Sequence, residues 1–367
     1  MSVYRIAVAK GDGIGPEIVN ATLSVLEKLQ KHYRGSVIIE LKNVLVGWEA
    51  YNKYGSSLPE ESLADMKKTD GLILGPLDVG LYPASDPGGP SPSGKIRKYF
   101  DLYANIRPAF SHGLNRCYPR NRVDIVIVRE NTEGFYTDRN MYEGNGEFKP
   151  SRDVAIAVRV IKRESCRRII KEAFDLAHQR KGKVTAVHKG NILKMTDGLF
   201  MEEFREIAEK NNSIQANDKI VDAMAYDLVM HPENYDVIVT TNMYGDILSD
   251  EAAAISGSLG MAPSLNAGDR YAMAQAVHGS APDIAGKGIA NPMAEIMSLG
   301  MLLDWLGRKN KDKLLIRMAT DLRNAINKTI QSVNELTPDL GGKGTTISVT
   351  KAIIASLEEE FNNETVV

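Results

Sequence analysis

The chain has 367 residues, 43% of them apolar, and 31 glycines, enough material for two α/β domains with cores of their own. Lys and Arg number 45 against 47 Asp and Glu, and the resulting charge of −2 gives no electrostatic pull toward nucleic acid or a membrane surface. No stretch approaches the roughly 18 apolar residues of a membrane span, and the first residues hold too short an apolar run for a signal peptide. Cys117 and Cys166 lie in polar surroundings, with neither metal-type spacing nor the density of a disulfide framework. Two free thiols in a cytoplasmic protein are expected.

In chain order, residues 4–9 read as a short apolar strand. A glycine-rich turn follows, then a helix whose Ile18, Thr22, Val25, Leu26 and Leu29 fall on one face. Gly11, Gly13 and Gly15 miss the G-x-G-x-x-G spacing, and no acidic residue closes a second strand to hold a ribose, which argues against a Rossmann domain. Further strands are predicted at 71–74, 123–128, 154–161, 184–189, 220–221 and 237–241, mostly separated by helical patterns, the alternation of an α/β sheet. Residues 138–153, polar and carrying Gly144, Gly146 and Pro150, break that alternation as a loop or arm.

The most informative run is YDVIVTTNMYGDILSD, residues 235–250, a buried strand turning into a helix that bears Asp246 and Asp250 four residues apart. At that spacing both carboxylates share a helix face and present hard oxygen ligands to Mg²⁺ or Mn²⁺. An acidic pair like this is commonly a solvated face, but the apolar strand before it places this one at a strand end, where sites in α/β proteins gather. Residues 278–292, HGSAPDIAGKGIANP, are rich in glycine and small residues that let backbone approach a ligand.

Together with GDGIGPE at 11–17 and VRENTEGFY at 128–136, these segments closely resemble the metal-dependent β-decarboxylating dehydrogenases, which include isocitrate, 3-isopropylmalate, homoisocitrate and tartrate/D-malate dehydrogenases. The resemblance runs essentially from end to end. It implies a two-domain, non-Rossmann α/β fold, with residues 1–101 and 258–367 forming a cofactor-binding domain and residues 102–257 an inserted second domain. It also implies homodimers that associate through the second domain and complete each other's sites.

The resemblance assigns roles residue by residue. Asp246 and Asp250, with Asp222 from the partner protomer, would bind Mg²⁺ or Mn²⁺; alone, Asp222 would read as a helix N-cap after a strand. Lys189, in VHKGN, would be the base acting on the 2-hydroxyl, with Asn191 of the same segment at the substrate. A lysine base must lose its proton, which burial and nearby cations favour and a carboxylate such as Asp222 opposes. Tyr136 would be the acid that protonates C3. Arg97, Arg107 and Arg129 would grip the malate carboxylates, the guanidinium fork being suited to planar anions. His278, Gly279, Ser280, Ala281, Asp283 and Asn291 match the adenine-nucleotide loop. Asp283 accepts from a ribose 2′-hydroxyl and repels a 2′-phosphate, so the cofactor expected is NAD; NADP-using relatives carry lysine and tyrosine where this chain has Asp283 and Ile284.

Substrate choice is read at residues 90–97, PSPSGKIR. The leucine pair of isopropylmalate enzymes is replaced by Ser93 and Gly94. Ser91 fits the serine of isocitrate enzymes, yet Ser93 stands in place of their asparagine, and Gly94 stands where homoisocitrate enzymes tend to carry an arginine. The expected substrate is a 3-substituted (2R)-malate, with a slight lean to the isopropylmalate type from the NAD loop; isocitrate, homoisocitrate and tartrate/D-malate are the alternatives. A non-catalytic regulatory subunit would be expected to lose catalytic groups, whereas Tyr136, Lys189 and the three aspartates are all present.

Overall fold

The computed structural model describes residues 2–364 apart from 84, 90, 112–121, 137–139, 142–145 and 332–335. Strand β1 (Ser2–Ala9) runs parallel to β2 (Val37–Asn43) and β3 (Gly71–Leu74). Between β1 and β2 lies α1 (Gly15–His32), whose Ile18, Thr22, Val25, Leu26 and Leu29 are buried as their spacing predicts; Thr22 turns its hydroxyl onto Ile18 O at 2.9 Å, so its burial leaves no unmet donor. The helices α2 (Trp48–Tyr54), α3 (Glu60–Met66) and α4 (Pro92–Tyr99) follow around β3.

Antiparallel β4 (Ala104–Phe110) and β5 (Asp124–Glu130) come next. Then β6 (Glu147–Ser151) and β7 (Val154–Ala157) form a separate two-stranded antiparallel ribbon, exposed at every residue. The chain continues through α5 (Arg163–Ala177), β8 (Lys183–His188), α6 (Thr196–Glu209), β9 (Gln215–Ile220), α7 (Val221–Met230), β10 (Val237–Thr240) and α8 (Asn242–Ser256). It closes with β11 (Leu265–Ala267), β12 (Ala272–Ala274), α9 (Met293–Asn310), α10 (Lys313–Ile330) and α11 (Thr346–Glu364).

Ten strands make one sheet in the order β2-β1-β3-β12-β11-β4-β5-β10-β8-β9. It is parallel except where β11 meets β12 and β4, and where β4 meets β5. Strands from the two chain ends therefore make one half and the central strands the other. Alternate residues go to opposite faces. In β10, Val237 and Val239 join Ile169, Phe174, Phe200 and Phe204 of α5 and α6, while Ile238 joins Met224, Leu228 and Leu248 of α7 and α8. Burial on both faces explains the unbroken apolar run at this strand. In the other half, Ile6, Val8 and Ile73 pack under α1, α9, α10 and α11, and Ala7, Ala9, Leu72 and Leu74 pack against Leu63, Met66 and Ile96.

Several sequence expectations shift. The predicted strand at 220–221 is β9, ending at Ile220, and Val221 already opens α7. The predicted strand at 154–161 stops at Ala157, and part of the predicted arm, 147–151, is β6; residues 138, 139 and 142–145 of that arm lie outside the described residues. Cys166 is not in polar surroundings but buried in the α5 core, where burial and nearby carboxylates push its thiol pKa up. Cys117 lies outside the described residues. Among the described residues, no helix is long and apolar enough to cross a membrane.

Candidate active site

The edges of α4, β4, β5 and α8 meet in a cleft lined by Ser91, Ser93, Arg97, Arg107, Arg129, Tyr136 and Asp246, with Gln275 to Gly279 across from them. Arg107 and Arg129 project from neighbouring antiparallel strands, and α8 starts directly after β10, which pairs with β5 so that Thr240 lies opposite Arg129. That register sets Asp246 against both guanidinium groups: Arg107 Nη1 is 3.1 Å from Asp246 Oδ1, and Arg129 Nη1 pairs with the same oxygen. Arg107 Nη1 also reaches Ser249 Oγ at 2.7 Å and Asp250 Oδ1 at 3.5 Å. The Tyr136 hydroxyl donates to Asp246 Oδ2, and its ring lies 5.1 Å from the Arg129 guanidinium.

These groups shift one another. Burial, with the charge of Arg129 beside it, lowers the Arg107 pKa to about 10, leaving it a cation at neutral pH. Burial pushes the Asp246 carboxyl up, but Arg129 and Arg107 outweigh it and hold the group below the usual carboxylate range. Asp250 moves the other way, raised by burial and by the Asp246 charge against the pull of Arg107. Burial and Asp246 together raise the Tyr136 phenol despite Arg129, so the group is a protonated acid at neutral pH.

A network of amides fixes the arginines. Arg129 Nε and Nη2 donate to Asn242 Oδ1 at 2.9 and 2.6 Å; Arg107 Nε donates to Asn105, which bonds Ser264 and Asn266 at 2.8 and 2.9 Å. Arg97 donates to Asn131 at 3.2 Å and Gln275 at 3.3 Å. Sequence reading missed these amides. Asn242, at the first position of α8, and Gln275, a polar residue in the apolar run before His278, were the available signals.

Lys189 and Asp222 fall elsewhere. Lys189 follows β8, its Nζ paired with Asp222 Oδ1, and Asp222 sits in the first turn of α7, where Ile220 and not Asp222 is the N-cap. Neither residue lines the cleft, and Asn191 is exposed beyond Lys189. Among the described residues, no third acid, histidine or cysteine joins Asp246 and Asp250 as a metal-binding group. Asp197 accepts from the Lys189 backbone N–H at 2.5 Å and pairs with Arg159, anchoring the segment that carries the lysine.

The loop after β12 packs on the first glycine turn. Ile14 N–H donates to Ser280 O at 2.8 Å, and a Cβ on Gly13, whose φ is +56°, would lie 2.0 Å from that oxygen; only glycine permits the approach. Ser280 Oγ donates to Asp78 at 3.0 Å, and Asn291 Nδ2 donates to Asp339 at 3.0 Å. His278 Nε2 is buried with no hydrogen-bond partner among the described residues, Gly279 has open space where a side chain would stand, Ala281 is half-buried and Asp283 is exposed.

An α/β sheet that brings three arginines, a phenol and the Asp246 carboxylate into one cleft, with Asp250 one turn further on, defines a protein built to hold a small polyanion. A family model for isocitrate/isopropylmalate dehydrogenase matches residues 5–356. The homoisocitrate dehydrogenase of Methanocaldococcus jannaschii is 42% identical over 350 residues, covering 93% of this chain and 94% of that protein. The 3-isopropylmalate dehydrogenase of Saccharolobus solfataricus is 44% identical over 345 residues, covering 92% and 95%. The crystal structure of isocitrate dehydrogenase from Methylococcus capsulatus superposes with a TM-score of 0.83 at 38% identity, covering 96% of this chain and 99% of that one. The chain belongs to the isocitrate/isopropylmalate dehydrogenase family and is an oxidoreductase.

Proposed function

We propose that this protein is an NAD-dependent, Mg²⁺- or Mn²⁺-dependent oxidative decarboxylase of a 3-substituted (2R)-malate, yielding a 2-oxo acid, CO₂ and NADH. The observation that carries the reading is the convergence of Arg97, Arg107, Arg129, Tyr136 and Asp246 in one cleft. Three cations suit a substrate with two or three carboxylates.

Asp246 and Asp250, one turn apart with hard oxygens, fit two ligands of a divalent cation, and Asp222 of a second protomer is the proposed third. The open space at Gly279, the orphaned buried His278 Nε2 and the exposed Asp283 carboxylate fit the adenosine half of NAD, Asp283 meeting its ribose hydroxyls. When bound, the cation would supply Lewis acidity and NAD would supply the hydride acceptor for the oxidation of C2. The chain's own groups do the rest. The arginines orient the malate, and Lys189 Nζ of the second protomer takes the C2 hydroxyl proton. The C3–carboxylate bond then breaks, releasing CO₂ with its electrons passing to the C2 ketone, and Tyr136 Oη gives its proton to C3 of the resulting enolate, which leaves the 2-oxo acid.

The same reading divides the chain into a cofactor domain, 1–101 with 258–367, and an inserted domain, 102–257. It makes the protein a cytoplasmic homodimer with shared sites. NADH formation on a panel of C3-substituted malates with Mg²⁺ or Mn²⁺ tests it: turnover of at least one malate is expected, and cofactor binding without turnover on any would return the regulatory-subunit reading.

A further inference from the structure

Gln275 is a polar cleft residue that sequence reading left out. It follows β12, is 7% exposed, and lines the cleft between the α4 end and the cofactor loop. Its side-chain oxygen accepts from Ser93 Oγ at 3.0 Å and from Arg97 Nη2 at 3.3 Å, and its Nε2 faces Gly75 O at 3.4 Å. The neighbouring Ser91 Oγ accepts from Gly94 N at 3.1 Å as the N-cap of α4, which leaves its O–H free to turn toward a ligand. The end of the cleft formed around residues 91–97, which the proposed reaction assigns to the C3 substituent, is thus bounded by two hydroxyls, an amide and a guanidinium, with Leu77, Val79 and Pro92 as its apolar side.

We infer, building on the proposed reaction, that Gln275 is a specificity-determining residue that joins Ser93 and Arg97 into a receptor for a C3 substituent ending in a carboxylate. An amide accepts from the guanidinium without adding negative charge to this end of the cleft. A carboxylate at the same position would pair with Arg97 and repel an incoming anion. An isopropyl group seated here would cover Ser93, Gln275 and Arg97 and return no hydrogen bond to any of them. A carboxylate returns several: it accepts from Arg97 and from the hydroxyls once Ser93 swings its O–H off Gln275. Discrimination by unmet buried polar groups is steeper than discrimination by methylenes.

The test compares wild type with Gln275→Glu and Gln275→Leu on malates bearing isopropyl, carboxymethyl and carboxyethyl groups at C3, reading kcat and KM separately. Wild type is expected to favour a carboxylate-bearing malate by about tenfold or more in kcat/KM. Gln275→Glu should raise KM for the carboxylate-bearing malates by about tenfold more than for the isopropyl compound, and Gln275→Leu should move the kcat/KM ratio toward isopropyl. Wild-type preference for isopropyl, or an equal loss on all three malates in both variants, would overturn the role given to Gln275 and leave the proposed reaction standing. Absence of wild-type turnover on every malate would instead overturn the reaction, and this inference with it.

Discussion

Asp246 holds Arg107 and Arg129 on one carboxylate oxygen and the Tyr136 hydroxyl on the other. The two arginines are 7% and 1% exposed, so the aspartate is the charge that allows them to lie side by side. Asp246→Asn keeps an acceptor for Tyr136 but takes the shared carboxylate from two buried cations, leaving Arg107 the more distant Asp250 at 3.5 Å. Because Asp246 is itself 39% exposed, the cost falls below that of a fully buried pair, about 2–3 kcal/mol, or roughly 3–4 °C in Tm for a chain of this size. Thermal unfolding with and without Mn²⁺ checks both proposed roles: the cation should raise the wild-type Tm and leave that of the variant unmoved. A full Mn²⁺ response in the variant would remove Asp246 from the ligand set.

Lys189 pairs with Asp222, away from the cleft that Tyr136 lines. If the two halves of the site come from different protomers, Lys189→Met and Tyr136→Phe homodimers should each be inactive, yet refolding the two variants together should restore turnover. Random pairing makes half the dimers mixed, each with one intact site of two, so about a quarter of wild-type activity is expected. No recovery from demonstrably mixed dimers would mean that each chain builds its own site.

The division of labour between short-range and long-range signals explains what could be read in advance. Asp246 and Asp250 were legible because helical spacing and the preceding apolar strand are local facts, and the buried face of α1 was legible for the same reason. β11 and β12, three residues each, are too short to show a period, and β9, QANDKI, is a polar strand at the sheet edge with no buried position. The arginines were named through family resemblance, but their supports were not. Gln275 meets Ser93 across 182 positions, and Asn242 meets Arg129 across 113, relations that only the closed sheet creates.

Asp283 stands exposed on the loop proposed for NAD, so its replacement disturbs no core packing. Asp283→Lys combined with Ile284→Tyr replaces a ribose acceptor with a phosphate-binding pair. Steady-state kinetics should show kcat/KM for NAD falling by about tenfold or more, equivalent to about 1.4 kcal/mol, while that for NADP rises. Unchanged cofactor preference would move the ribose contact to another residue.

Glu295, in the first turn of α9, is fully buried under the same loop: one side-chain oxygen accepts from Ala276 N–H at 2.8 Å and the other has no partner. Burial raises its pKa to about 8, well above the ordinary glutamate value near 4.3. Between those two values the folded chain holds a proton that the unfolded chain has released, so stability from this group declines as pH rises and is lost through about pH 8. Glu295→Gln carries a neutral group of nearly the same shape at every pH and keeps the acceptor for Ala276. The variant should therefore match wild type in Tm near pH 4, gain on it steadily from there to about pH 8, and exceed it by several degrees at pH 9, about 1 °C for each kcal/mol of ionisation cost removed. Thermal melts across that range decide it, and a Tm difference that stays constant with pH would show that Glu295 does not change protonation on unfolding.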